Sequence, residues 1–208
     1  LNQRNAALKK FAETKTWDAT LIGTYDRQLA ESGTSIFETR KQFINKFEPV
    51  FSRLYQDISQ GKEAVKPAYQ SQLNNDKLDD LLKWRQQKDR ATQRTSCGIH
   101  KDDIELQLNG RPARKVASQG QKKSILTSLK LAQYEFLSAQ KGIKPLLLLD
   151  DVFDKFDRGR VEELFTVLNS DHFGQIFITD TSEERIKKLF KKLSIECRIS
   201  KIANGKIG

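Results

Sequence analysis

The sequence predicts an α/β protein, with a mainly parallel sheet flanked by helices and joined to a helix-rich lobe. Three stretches lead to that class. Four consecutive leucines at 146–149, following Lys144 and Pro145, read as a short strand buried on both faces, as in a parallel sheet covered by helices. Residues 122–141 place Ile125, Leu129, Ala132 and Phe136 on one side of a helix. Phe37, Ile44, Phe51 and Ile58 recur at intervals of seven, a spacing suited to helix pairing.

Composition sets the outer limits. A chain of 208 residues can hold one large or two small domains with a real core. With 37% hydrophobic and 31% charged residues it reads as a polar, helix-rich protein. No apolar run approaches the ~20 residues needed to cross a bilayer, and no secretory segment is present, so no membrane partner is expected. Cys97 and Cys197 lack metal-ligand spacing and read as reduced thiols, which gives a cytoplasmic expectation. A net charge of +10 favours a polyanionic partner such as DNA, although many basic proteins bind nothing in particular. The chain has no methionine and opens in what reads as the middle of a helix, so it is expected to be a piece of a longer protein.

Taken in order, residues 2–14 read as a helix with Ala6, Ala7, Leu8 and Phe11 able to face inward. Trp17 and Asp18 lead into a long helical region. There Phe47 and Leu54 join the seven-residue repeat, and Ile36, Phe43 and Val50 widen the stripe. Its short extent favours a bundle core over a long coiled-coil arm. Gly61 ends the helix. Val65, Pro67 and Tyr69 mark an extended edge segment, and Asp76 is expected to cap a helix carrying Leu78, Leu81, Leu82 and Trp84. The continuation of that helix is the densest basic stretch, with Lys83, Arg85, Lys88, Arg90 and Arg94. It is either a solvated face or a strip that contacts DNA phosphates.

Composition shifts near Thr95, which divides the chain into an expected helical lobe at 1–94 and a second domain at 95–208. His100, Lys101, Asp102 and Asp103 put one histidine beside two acids, with no second histidine or cysteine nearby. A turn and strand entry fits that better than a metal site. Residues 104–108 alternate as a half-buried strand, and Asn109-Gly110 is a two-residue hairpin signal leading into 111–116.

Ser118 can cap the helix that Gly142 ends, and Gly120 permits close approach to its first turn. Free N–H groups and a hydroxyl at a helix start suit phosphate oxygens, and Lys122 and Lys123 add charge. Caps of this kind are also common with no function beyond structure. The leucine run ends in Asp150 and Asp151. An ionised pair at the edge of an apolar core is costly unless a positive charge meets it. Ligands in open α/β sheets bind at the carboxyl ends of strands, where a hydrated Mg²⁺ beside a polyphosphate would supply that charge. The alternative is a helix cap satisfied by backbone N–H groups. A helix at 161–168 and a second buried strand at 175–178 follow, with Thr179, Asp180 and Thr181 at the strand's end. A basic helix at 183–193 and a strand at 195–202 close the chain. No G-x-x-x-x-G-K-[ST] phosphate loop is present; Gly120 to Ser124 ends like one but lacks the leading glycine and the spacing.

In this order ASQGQ, LLLLDD, DKFD and QIFITDT resemble the second half of an ABC-type ATPase of the RecF/SMC/Rad50 group, the RecF branch most closely. QRNAALK, HKDD, SQGQKKS and LKLAQYEFL support it. The resemblance implies that residues 95–208 carry the signature motif, Walker B strand and D-loop of an ATPase head. It makes 1–94 a compact lobe where SMC and Rad50 proteins carry coiled coils, and it puts the phosphate loop upstream of this chain. Asp150 would then hold Mg²⁺ through water. Asp151 stands where many relatives have a catalytic glutamate and would orient or deprotonate the attacking water, slowly, being one methylene shorter. Ser118, Gln119, Gly120 and Gln121 would meet the γ-phosphate of ATP held by a second subunit, making ATP the joint of a head-to-tail homodimer. Asp154 and Asp157 would lie in the D-loop at that interface. By the same resemblance Thr179, Asp180 and Thr181 would fill the switch position, with Asp180 where many relatives have histidine, and His100, Lys101, Asp102 and Asp103 would lie near the nucleotide or the interface. The implied role is in DNA repair, recombination and replication: a dimer clamping duplex DNA near single-strand gaps and junctions, working with RecR and RecO to load RecA.

ATP and Mg²⁺ are expected only together with the upstream portion, and the chain alone is expected to be inactive. Two other readings compete. A non-catalytic DNA- or protein-binding module is favoured for this stretch alone, since no phosphate loop is present. An SMC or Rad50 head predicts long coiled-coil sequence next to this one. A sheet without its upstream strands would also expose an edge.

Overall fold

The computed structural model describes residues 1–150, 156–203, 206 and 207. It is a mixed α/β structure, as expected. The elements are α1 (Asn2–Thr14), α2 (Ala19–Ser59), β1 (Val65–Gln70), α3 (Leu78–Thr92), β2 (Asp103–Leu108), β3 (Arg111–Pro112), α4 (Ala113–Val116) and α5 (Gln119–Lys141), then β4 (Leu147–Asp150), α6 (Arg158–Leu168), β5 (Ile176–Thr179), α7 (Glu183–Leu193), β6 (Ile202–Ala203) and β7 (Lys206–Ile207). The chain forms two compact units, Leu1–Glu48 with Pro67–Gln107, and Pro49–Lys66 with Leu108–Gly208. The boundary inside α2 falls at Pro49, which has no N–H to donate within the helix.

The first unit is organised by a buried charge. Arg4 is fully buried on α1 and would be costly there without partners. Its Nε meets Asp26 Oδ1 of α2 at 2.5 Å, and its Nη1 meets Asp89 Oδ2 of α3 at 2.8 Å and Thr95 Oγ1 at 2.9 Å. Asp89 also accepts the Ser96 N–H, and Asn5 accepts both the N–H and the hydroxyl of Thr95. One guanidinium thus joins three helices. The apolar core of this unit includes two clusters, one of Leu8, Phe11 and Ile22 and one of Leu78, Leu81, Leu82 and Cys97. Burial first, then the charge of Asp89, pushes the Cys97 thiol up to about 11, which leaves it protonated and unreactive. Cys97 and Cys197 are both free thiols.

Asp18 accepts the Leu21 N–H and so starts α2. The seven-residue repeat is buried throughout: Phe37, Ile44, Phe47, Phe51, Leu54 and Ile58 all lie inside. The widened stripe does not follow it, since Ile36 and Phe43 are exposed. Asp76 is not the cap of α3; that position is Lys77, which makes no side-chain cap bond. The acids Asp79 and Asp80 instead sit in the first turn, where the helix dipole favours them. Asp102 of the HKDD stretch accepts from Arg40 at 3.2 Å and Tyr69 at 2.5 Å, and His100 Nε2 lies 3.2 Å from the Thr95 carbonyl. That arrangement fits the turn and strand entry expected of these residues.

In the second unit α5 is the longest element that lies wholly within it. Its buried side chains include Ser124, Ile125, Ser128, Leu131, Ala132 and Tyr134, whereas the expected Leu129 and Phe136 are only half-buried. Apolar periodicity misses this face because two of its members are serines. Gly142 ends the helix at φ 67, in the left-handed region that glycine tolerates. Near that end the Tyr134 hydroxyl donates to the Pro145 carbonyl at 2.8 Å and accepts the Gly174 N–H at 2.9 Å. One phenol therefore fixes the entries of both β4 and β5. These strands pair in parallel, with Leu147, Leu148, Leu149 and Asp150 opposite Ile176, Phe177, Ile178 and Thr179.

Three expectations fail here. The leucine strand is not buried on both faces: Leu147 and Leu149 are half-buried while Leu148 is 73% exposed, and Phe177 beside it is 49% exposed. A run of leucines is apolar on both sides whether or not both sides are covered. Residues 111–116 do not form a long return strand, because Pro112 lacks a donor and the chain turns into α4. The strand expected at 195–202 is absent over 195–201. Only Ile202 and Ala203 pair, with Ile207 and Lys206, because alternation sets a face but supplies no neighbour to bond.

Replacing Arg4 by methionine strands two buried carboxylates, and the loss of stability should be about 3–5 kcal/mol in urea unfolding. A loss under about 1 kcal/mol would mean that water reaches Asp26 and Asp89.

Candidate functional site

Ser118 caps α5, and with Gln121 it completes a reciprocal capping box. The Gln121 N–H donates to Ser118 Oγ at 3.2 Å, and the Ser118 N–H donates to Gln121 Oε1 at 2.6 Å. Lys122 N–H bonds the Ser118 carbonyl at 2.9 Å. The donors left for an outside acceptor in the first turn are those of Gln119 and Gly120. Among the described residues, and apart from the helix's own backbone and the two neighbouring residues, no heavy atom lies within 4 Å of where a Gly120 Cβ would sit, so the turn is open on that side.

Asp150 ends β4 as an exposed carboxylate at the carboxyl end of the parallel pair. It accepts a hydrogen bond from Thr179, its register partner on β5. The catalytic candidate Asp151 and the interface candidate Asp154 lie outside the described residues. Asp180 is turned inward: its side chain is fully buried, pairs with Arg185 at 2.7 Å and accepts the Ser182 N–H at 2.6 Å. Thr181 is exposed. Among the described residues no group of three or more histidine, cysteine or acidic side chains could hold a metal by itself. A cation here would need oxygen ligands from a bound phosphate as well.

Asp157 caps α6 by accepting the Arg160 N–H at 3.0 Å, and its other oxygen lies 3.3 Å from Arg160 Nε. The guanidinium then reaches α5, donating to Ser124 Oγ at 2.6 Å and to the Gly120 carbonyl at 3.3 Å. It also lies 3.7 Å from Glu63 Oε1. Glu63 accepts from Gln121 Nε2 at 2.7 Å and from the Tyr55 hydroxyl at 2.5 Å. The structure thus joins Ser118, Gly120, Gln121 and Asp157 through Glu63 and Arg160. No hydrogen bond or ion pair among the described residues joins this turn to Asp150. Arg160 was legible as a partner three positions after Asp157. Glu63, far away in sequence, carries no motif that marks it.

The basic residues of α3 do not share one face. At 100° per residue Lys83 and Arg90 fall on one side and Arg85 and Lys88 on another. Lys83 pairs with Asp79, and Arg90 lies 4.9 Å above the Trp17 ring. Lys88 and Arg94 are exposed, and Arg85 is half-buried.

A parallel strand pair with an acidic tip and a long serine-capped helix belong to a mixed α/β fold that solved RecF structures share. The solved structure of the recombination mediator protein RecF-ATP in the RecFOR pathway matches it with a TM-score of 0.73 at 29% identity, over 88% of this chain and 51% of that one. The RecF-ATPrS structure matches with a TM-score of 0.74 at 28% identity, over 100% of this chain and 55% of that one. The DNA replication and repair protein RecF of Flavobacterium johnsoniae is 48% identical over 189 residues, covering 91% of this chain and 53% of that protein. Its counterpart in Phocaeicola vulgatus is 41% identical over 208 residues, covering 100% and 55%. No protein-family model matches the chain. The chain is related to RecF along its whole length, and it spans about half the length of the curated relatives it matches.

The charge on Glu63 has a measurable consequence. Burial alone would raise its carboxyl, but hydrogen bonds from Tyr55 and Gln121, with the charges of Arg160 and Lys62, hold it below its ordinary 4.5. Burial, then the bond to Glu63, pushes the Tyr55 phenol up. A carboxyl lowered by folding stabilises fully above its unfolded value and loses that contribution as pH falls through the folded one. In Glu63→Gln the fall in unfolding free energy from about pH 6 to about pH 3 should be shallower than in the wild type. Equal slopes would show that Glu63 is not held in its charged form.

Proposed function

We propose that this chain supplies the trans-acting half of a RecF-like ATPase, and that ATP joins two copies which clamp DNA in recombinational repair and replication. The observation that carries the reading is the pairing of Asp150 with Thr179 at the carboxyl ends of parallel β4 and β5, in a chain related to RecF along its length. It is supported by an open, serine-capped turn whose Gln119 and Gly120 donors suit phosphate oxygens.

On this reading residues 95–208 are the signature-bearing half of an ATPase head and 1–94 its helical lobe, with the phosphate loop supplied by sequence outside this chain. Mg²⁺, when bound, offsets the negative charge of the β- and γ-phosphate oxygens. Asp150 fits that ion, being exposed and already oriented by the Thr179 hydroxyl. Asp151 orients the attacking water. Ser118, Gln119, Gly120 and Gln121 bind the γ-phosphate of the nucleotide held by the other copy, and Asp154 and Asp157 meet that copy across the interface. Asp180 is committed to Arg185, so at the switch position Thr179 and Thr181 are the groups that act by hydroxyl. No helix among the described residues is long and apolar enough to cross a membrane. The partners are DNA, a second copy, and RecR and RecO.

With the phosphate-loop portion present, Asp151→Asn should abolish ATP hydrolysis while DNA binding persists. Hydrolysis that survives unchanged would remove Asp151 from the catalytic role, and a complete protein with no nucleotide dependence would favour a binding module. DNA binding through the basic stretch at 83–94 is separable by salt. Removing one cation that neutralises a phosphate lowers the slope of log K against log salt by about 0.9. Lys88→Ala with Arg94→Ala should therefore flatten that slope by about 2; an unchanged slope places the DNA elsewhere.

A further inference from the structure

Gln121 has one amide group and two bonds to make with it. Its Oε1 accepts the Ser118 N–H and its Nε2 donates to Glu63. An ionised carboxylate only accepts, so Glu63 admits one orientation of that amide. The flipped amide would set donor against donor at Ser118 and oxygen against oxygen at Glu63. Glu63 is itself held, since Tyr55 donates to its second oxygen and Arg160 stands beside the first. The backbone next to it is pinned as well: the Ala64 N–H donates to Asn109 Oδ1 at 3.1 Å, and the Ala64 carbonyl accepts the Asn109 N–H at 2.8 Å. Arg160 carries the same network to Asp157 and to the Gly120 carbonyl.

We propose that Glu63 is a positioning residue for the 118–121 turn. Through the Gln121 amide it holds that turn in the conformation that offers its first-turn donors to phosphate, and through Arg160 it ties the turn to Asp157 at the start of α6. The proposal rests on reading Ser118, Gln119, Gly120 and Gln121 as the group that meets ATP held by a second copy. Glu63 touches no nucleotide. It acts on association and turnover through Gln121, and nucleotide binding by a single copy is independent of it.

The test uses the full-length protein and its Glu63→Ala and Glu63→Gln variants. Three readouts are taken: the Kd of a fluorescent ATP analogue under conditions where the protein is monomeric, ATP-driven self-association by sedimentation, and kcat for hydrolysis. Glu63→Ala should weaken association about tenfold and lower kcat by a similar factor, as loss of one hydrogen bond to a charged group implies, with the monomer's Kd unchanged. Glu63→Gln keeps an oxygen for the Gln121 amide and should recover most of both. If Glu63→Ala does not fold, Tyr55→Phe, which removes one hydroxyl from the carboxylate, should weaken association about threefold. Wild-type association in the folded variants overturns the proposal alone. So does a parallel loss of nucleotide Kd and association, which is the mark of a merely structural role. A wild-type protein with no ATP-driven association overturns the reading of the turn, and the proposal with it.

Discussion

A helix start exposes four N–H donors, and whatever satisfies some of them decides which are left for a ligand. At Ser118 the capping box takes up two of them, the N–H groups of Ser118 and Gln121. What makes this arrangement singular is a charge. A glutamine amide can face either way, and only the carboxylate of Glu63 against it selects the face that completes the cap. The carboxylate needs a cation and donors to persist when half-buried, which Arg160 and Tyr55 supply. The turn, the cap of α6 and the segment before β1 are thereby parts of one electrostatic unit.

The first unit solves the same problem differently. Arg4 is fully buried, and two aspartates and a threonine from different segments close around it. A buried pair of this kind adds little stability over apolar packing, yet breaking one member is expensive. Its use here is to fix which surfaces of α1, α2 and α3 meet.

How much of this was legible in the sequence depends on the range of the interaction. The seven-residue repeat marked Phe37, Ile44, Phe51 and Ile58 as interior, because helix geometry is local; Ile36 and Phe43 were included by apolarity alone and lie outside. Ser118 and Gly142 were readable as the ends of α5, since caps are set within a few residues. The order of the motifs alone also pointed to the RecF branch. Arg4 with Asp89, and Glu63 with Gln121, were not readable, because each pair is far apart in the chain and follows no period. The inward serines of α5 carry no such signal, because polarity alone does not say which way a helix faces. The leucine strand shows a related limit: composition tells what a face would tolerate, and topology decides what covers it.

Helix α5 starts at the Ser118 cap and carries Tyr134 near its other end, against the entries of β4 and β5. At 1.5 Å per residue those two points are roughly 24 Å apart on a single hydrogen-bonded rod. The serine cap and the entries of the strands that finish in Asp150 and Thr179 are therefore held by opposite ends of one continuous helix, and neither end can be repositioned without a bend in that rod or a shift of the other.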